Sequence, residues 1–341
     1  LGEDELGFEK ISYLLLLGEM PTSEQEAEFS KHIGDLRCLP QNFTRDVIMK
    51  APTADIMNSI TRSILTLASY DKQALDTSVD NVLRQCIQLI AEFPLLAIYA
   101  YHAYNYSELQ ESMIIHRPDP NLSTAENLLM MLRPDKKYTK TEAKVLDTAL
   151  ILHMEHGGGN NSTFTTHVVS SSGTDTYAAI AAGIGSLKGP KHGGANHKVA
   201  EMIDAFKENC ADITDENQVA DYIRKIMKKE GGDRTGLVYG IGHAVYTLSD
   251  PRATILRAKA AEFSKNTEFE DEMKLLTLIE EITPELFNSV TGKSKPLCAN
   301  VDLYSGLIYK MLRIPEDLYT PLFATARMAG WCAHRIEELF T

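Results

Sequence analysis

Helical periodicity runs through almost the whole chain and constrains its fold more than any other feature. In 81–93, Val82, Leu83, Cys86, Ile87, Ile90 and Phe93 fall on one apolar stripe, the spacing of a 3.6-residue helix with one buried face. Pro94 is expected to end that run, because proline lacks the N–H and crowds the preceding turn. Residues 141–155 repeat the pattern through Val145, Leu146, Ala149, Leu150 and Leu152, and stop at the glycines 157–159. Val199, Met202, Ile203 and Phe206 give a further i, i+3, i+4, i+7 set. Ser23 with Glu26, and Ser123 with Glu126, fit capping boxes in which hydroxyl and carboxylate satisfy free backbone N–H groups. Pro21, Pro118, Pro120 and Pro134 punctuate between helices. Strand signals are few. Residues 164–171 alternate weakly with β-branched side chains, then run into an Ala-rich stretch at 177–182. Small residues there, with Gly183 and Gly185, allow helices to approach closely. The chain reads as all-α.

With 341 residues, about two domains of roughly 150 residues each are expected, and such a chain needs no disulfide or metal staple. The segment 207–235 is highly charged and reads as solvated helix and loop in a smaller, more exposed lobe. A formal charge of −13 repels polyanions on average, which makes nucleic acid a poor partner. A local basic pocket for a small anion is compatible with that charge. The longest apolar runs, 14–17 and 95–101, fall well short of the ~20 residues that span a bilayer, so no membrane partner is expected. No signal peptide is visible. Five scattered cysteines, Cys38, Cys86, Cys210, Cys298 and Cys332, with no CxxC pair, read as reduced thiols in the cytoplasm. Leu1 at one end and a helical pattern running to Thr341 at the other read as cut ends.

Histidines sit unevenly. His153 and His156 precede three glycines; His192 and His197 flank Gly193-Gly194-Ala195-Asn196; His243 lies in Gly240-Ile241-Gly242-His243-Ala244. Glycines beside a histidine leave the backbone approachable and the imidazole uncovered, which suits a ligand site. His32, His102, His116 and His334 lack that setting and read as packing residues. His153-Met154-Glu155-His156 is not HExxH and has no third ligand at a recognised spacing, so no metal is assigned. The run 183–189 does not match GxGxxG, 231–236 lacks the Lys-Ser/Thr of a phosphate loop, and no GxSxG elbow is present. What remains is His192, His243, Asp302, Arg252 and Arg327. Asp250-Pro251 sets Arg252 at an element start, and Arg327 lies among Ala324, Ala326, Ala329 and Gly330. The guanidinium of Arg327 has room among these small neighbours to reach into a cleft; the plainer reading is a buried arginine paired with a carboxylate of the fold. Arginine is also the side chain best suited to bidentate carboxylate binding, and two of them suit a dicarboxylate ligand.

These residues carry a resemblance. Gly189-Pro190-Lys191-His192-Gly193-Gly194-Ala195-Asn196 resembles the GPxHGGAN signature of the citrate synthase family. The segments 240–246 and 250–252 are similar to its second block, and Asn300-Val301-Asp302-Leu303-Tyr304-Ser305-Gly306 to its third. Residues 153–160 are similar to its histidine-and-glycine turn, and 323–330 to its late arginine helix. Five blocks in the family's order cover 153–330.

The resemblance implies a mostly α-helical two-domain homodimer, with a large domain of residues 1–192 and 303–341 and a small domain of 193–302 that closes over the cleft. It implies condensation of acetyl-CoA with oxaloacetate and water to citrate and CoA. By match, Asp302 is the base that takes the methyl proton, His192 stabilises the enol, and His243 polarises the oxaloacetate carbonyl. His156, Arg252 and Arg327 hold oxaloacetate. No resident cofactor is implied; CoA is part of a substrate.

Two departures stand out. Residues 245–249 lack the basic side chains that many relatives carry for the CoA phosphates, a role that would pass to other cations such as Lys293 or Lys295. In relatives an Arg-Pro segment follows the position of Thr341, where this sequence stops. The alternatives are 2-methylcitrate synthesis from propionyl-CoA, where one methyl is worth only ~1–3 kcal/mol of binding, and a catalytically silent ligand-binding or assembly paralogue.

Overall fold

The computed structural model describes residues 5–242, 246, 249–292 and 296–341. His243, Lys293 and Lys295, and most of the 245–249 stretch, lie outside the described residues. Among the described residues there is no strand; an isolated antiparallel bridge joins Ile241 to Ala299. The helices are α1 (Phe8–Leu17), α2 (Ser23–Asp35), α3 (Ile56–Leu67), α4 (Val79–Glu108), α5 (Thr124–Leu132), α6 (Lys140–His153), α7 (Asn161–Ser170), α8 (Thr176–Leu187), α9 (Ala195–Asn209), α10 (Glu216–Met227), α11 (Pro251–Ser264), α12 (Glu270–Thr291), α13 (Asp302–Met311) and α14 (Tyr319–Glu337). The all-α expectation holds.

The chain separates into two compact units: Leu1–Gly193 with Thr320–Thr341, and Gly194–Tyr319. An insertion within a larger unit is therefore present. Residues 303–319, which the family resemblance places with the large domain, group with the inserted unit.

In the larger unit α4 is the core helix. It packs against α2, α3, α5 and α8. Pro94 does not end it, contrary to the sequence expectation: α4 runs through Pro94 to Glu108. Proline inside a helix costs about 3 kcal/mol. Every residue from Leu89 to Ala100 is buried, and each large apolar side chain among them contributes about 1.5–3 kcal/mol, so packing outweighs the lost hydrogen bond. The same helix is long and apolar enough to cross a membrane by composition, but 78% of its most apolar window is buried inside the protein, as a core helix requires.

Two further local expectations change. The cap of α2 is Thr22 with Gln25, not Ser23 with Glu26: the Thr22 hydroxyl accepts the Gln25 N–H, and the Gln25 side chain accepts the Thr22 N–H. The Ser123–Glu126 box holds. The weak strand signal at 164–171 is helix α7. Asn160 caps it by accepting the Thr163 N–H at 3.1 Å, and the hydroxyls of Thr165 and Thr166 bond back to Asn161 and Ser162 carbonyls. These back-bonds fix the threonine rotamers that a helix otherwise restricts. α7 lies close on α8 because residue 183 is glycine: a Cβ there would stand 2.6 Å from Thr166 Oγ1.

In the inserted unit α13 packs on α9, α11 and α12, and α10 packs on α12. Asp250 caps α11 and Pro251 takes its first turn, as the turn signal predicts.

Candidate active site

His192 sits in the turn between α8 and α9, where its N–H bonds to the Gly189 carbonyl and the Gly193 N–H to Leu187. Gly193 is required there: a Cβ would come within 2.5 Å of the Leu187 carbonyl oxygen. His192 Nε2 accepts the backbone N–H of Ser162 at 3.3 Å and lies 2.8 Å from the Ser162 hydroxyl. That hydroxyl also receives the Trp331 indole N–H at 3.2 Å. A backbone N–H can only donate, so Nε2 is the acceptor nitrogen and the ring proton resides on Nδ1. Burial pushes the His192 pKa down to about 4, and the charge of Arg327 adds to the effect. His192 is therefore a neutral Nδ1–H donor at neutral pH.

Arg327 is 1% exposed. Its Nε donates to the His153 carbonyl at 2.8 Å, and its guanidinium lies 4.8 Å from the centre of the Phe323 ring. The His192 and His153 rings pack on the same Phe323. One turn beyond Arg327, Gly330 lets the chain after α6 cross α14: a Cβ there would meet the Met154 carbonyl oxygen at 2.2 Å. This crossing carries the half-buried His156, whose backbone N–H is held by Glu155 Oε1 at 2.8 Å. The larger unit thus brings His192 and Arg327 together around Phe323 and holds the His156 loop against α14.

The inserted unit holds Asp302 and Arg252. Asp302 is the first residue of α13, where the helix N-terminus favours a carboxylate. The segments around it are stitched together. Asn300 donates from its backbone to the Gly240 carbonyl at 2.9 Å and from its side chain to the Gly242 carbonyl at 3.0 Å, while Gly242 N–H reaches the Cys298 carbonyl at 2.7 Å. The Asp302 N–H is taken by Asn300 Oδ1 at 3.1 Å. Gly240 has φ +81°, and a Cβ on it would stand 2.8 Å from Leu303. Gly240 and Gly242 of the second block are therefore tied to Asn300 of the third, and to Cys298 just before it, beside the start of α13.

Arg252 is forked onto Asp250, with Nε to Oδ1 at 3.0 Å and Nη2 to Oδ2 at 2.8 Å. Asp250 is buried. The reading of this arginine as partner of a carboxylate of the fold is thus realised, and a ligand would have to share it. His243 lies outside the described residues.

Motif reading missed Ser162, Trp331 and Glu155. Asn160 as a helix cap was a legible signal for the start of α7; nothing in the sequence announces that Trp331 reaches Ser162 across 169 positions. His102 and His116 are packing residues as expected, bonded to the Met131 and Arg133 carbonyls. His334 is more than that: it contacts His167, Glu155 and Glu337.

The larger unit thus carries a neutral histidine and a buried arginine beside Phe323, and the inserted unit a carboxylate at a helix start. The family model for citrate synthase, C-terminal domain, matches residues 1–341. The chain is 33% identical to the citrate synthase of Corynebacterium glutamicum over 337 residues, covering 97% of this chain and 73% of that one. It is 34% identical to that of Synechocystis over 334 residues, covering 97% and 77%. It is 30% identical to 2-methylcitrate synthase 2 of C. glutamicum, covering 98% and 82%. Among solved structures, citrate synthase from Thermoplasma acidophilum in ternary complex with carboxymethyl coenzyme A and oxaloacetate superposes with a TM-score of 0.80 at 28% identity, covering 97% of this chain and 81% of that one. The enzyme from Pyrobaculum aerophilum gives 0.82 at 27%, covering 98% and 80%. The chain belongs to the citrate synthase family, acyltransferases that form citrate.

Proposed function

We propose that this protein condenses acetyl-CoA with oxaloacetate, with Asp302, His192 and His243 as its catalytic groups and His156, Arg252 and Arg327 holding oxaloacetate. The observation that carries the reading is His192, fixed by Ser162 as a neutral Nδ1–H donor. A thioester methyl is a very weak acid, so its proton leaves only if a placed base takes it while the enolate oxygen is stabilised. Asp302 takes the proton, and His192 Nδ1–H donates to the thioester oxygen. An imidazolium would hand over its proton too readily; a neutral ring stabilises the enol by hydrogen bonding. The enol carbon then attacks the oxaloacetate ketone, which His243 polarises, giving a citryl thioester. Water cleaves that thioester to citrate and free CoA. Every step is redox-neutral, so the reaction consumes no reducing or oxidising equivalents.

Release of CoA thiol on mixing acetyl-CoA and oxaloacetate tests this reading. Asp302→Asn and His192→Ala are each expected to lower kcat by about 10²–10⁴-fold. Turnover that survives both substitutions would refute the assignment. Oxaloacetate binding by calorimetry with no turnover would instead mark a silent paralogue. The similarity to a 2-methylcitrate synthase supports a second reading with propionyl-CoA, and kcat/KM for the two thioesters decides between them.

The proposal extends to a cytoplasmic homodimer. Five cysteines without a disulfide support the location. Phe164 and Val168, one turn apart on α7 and 59% and 52% exposed, support a covered apolar face.

A further inference from the structure

The larger unit holds a second cluster of titratable groups, on α7 and the last turns of α14. His167 Nε2 lies 2.9 Å from His334 Nδ1. Glu337 Oε2 lies 2.9 Å from His334 Nδ1 and 3.8 Å from His167 Nε2. Three donor atoms from two helices form one triangle. Zinc bound tetrahedrally at about 2.0–2.1 Å sets its ligand atoms about 3.3 Å apart, and the edges of this triangle straddle that spacing.

The far nitrogen of each ring is already committed. His167 Nδ1 meets Glu338 Oε2 at 2.7 Å, and His334 Nε2 meets Glu155 Oε2 at 3.1 Å. A carboxylate on the far nitrogen holds the ring proton there and turns the near nitrogen's lone pair toward the cluster, the arrangement that orients histidine ligands of metals. Two ring nitrogens and a carboxylate oxygen converge, and three carboxylates surround them. Such a group calls for a cation. A proton between the rings would satisfy one pair of atoms; a divalent ion satisfies all three. Gly158 lies beside the cluster, its Cβ position 3.7 Å from His167 Nε2 and 3.8 Å from His334 Cε1.

We propose that His167, His334 and Glu337 form a zinc site with its fourth position open to water, oriented by Glu338 and Glu155. Two imidazoles and a carboxylate suit zinc better than magnesium or calcium, which favour oxygen donors. Glu155 also ties the site to the loop that carries His156, because its Oε1 accepts the His156 and Gly157 N–H groups. This inference stands on its own geometry and is independent of the condensation chemistry.

The test is calorimetric titration of chelator-stripped protein with zinc chloride in a non-coordinating buffer. The expected result is one zinc per chain, with affinity reduced by about tenfold or more in Glu338→Gln and further in His334→Gln and Glu337→Gln. Glu337 is largely exposed, so Glu337→Gln keeps the fold, checked by an unchanged melting curve without zinc. Zinc should raise the melting temperature of the parent and not of Glu337→Gln. Absence of saturable binding at micromolar zinc would overturn the proposal. So would one equivalent bound with parental affinity in both His334→Gln and Glu337→Gln, which would place the metal on other histidines.

Discussion

His192 shows how a single residue's chemistry is set by neighbours far away in sequence. Its motif marks it as special, yet its neutral state is set chiefly by burial, with the charge of Arg327 adding to it, and its tautomer by the Ser162 N–H. A folded pKa of about 4 lies below the ordinary histidine value near 6.5, so the ring stays neutral as pH falls well below 6. Nitrogen NMR of histidine-labelled protein should show His192 as the neutral Nδ1–H tautomer from pH 6 to 8. A ring that titrates between those values, or carries its proton on Nε2, contradicts the assignment. Arg252 teaches the converse. The sequence offered a carboxylate ligand and a structural partner as alternatives, and the fork onto Asp250 shows that the structural partner is present.

Among the elements, α6, α9 and the capped start of α5 were legible because their apolar spacing and caps agree with where packing puts them. α4 and α7 were not fully legible. Pro94 is a helix breaker on local grounds alone, and only burial on all sides of α4 overrides it. The β-branched run of α7 carries ambiguous propensity, and the back-bonding threonines with the α8 contact decide it. α14 depends on a close crossing in the same way. At Gly330 any side chain meets the Met154 carbonyl oxygen, so Gly330→Ala must displace the loop carrying His156. Overpacking of this kind costs about 1–3 kcal/mol. A lowered melting temperature together with a raised KM for oxaloacetate is the expected outcome; a variant with the parent's melting temperature and KM would show that the crossing yields freely.

For the whole molecule, stability depends on carboxylates that folding takes out of water. Glu92, buried on α4, is pushed up to about 7 by burial, against one hydrogen bond from Gln88. Asp147 is pushed up to about 6, chiefly by burial, although the Gly7 and Phe8 N–H groups pull the other way. A carboxyl whose folded pKa is raised binds its proton more tightly in the native state, so stability is lost as pH rises from the unfolded value through the folded one. For Glu92 that window runs from about 4.5 to about 7, and the loss is up to about 3 kcal/mol. Glu92→Gln should therefore melt higher than the parent at pH 8 and close to it at pH 4.5. Equal melting curves at both pH values would show that Glu92 is charged at no cost. At the same scale, Phe164→Asp with Val168→Lys should yield a monomer by light scattering if α7 forms the dimer face; an unchanged dimer would move that face elsewhere.

The sequence by itself determined the helical class, the ordered motif blocks and the family they signal, because periodicity and short glycine–histidine runs are local properties that survive in a string of letters. Tertiary structure alone decided the His192 tautomer, the Arg252–Asp250 fork, the passage of α4 through Pro94, and the meeting of His167 with His334. Each of these depends on which groups share a desolvated space. Side chains more than a hundred residues apart, such as Ser162 and Trp331, acquire their donor, acceptor and charge states only once folding has excluded the water between them.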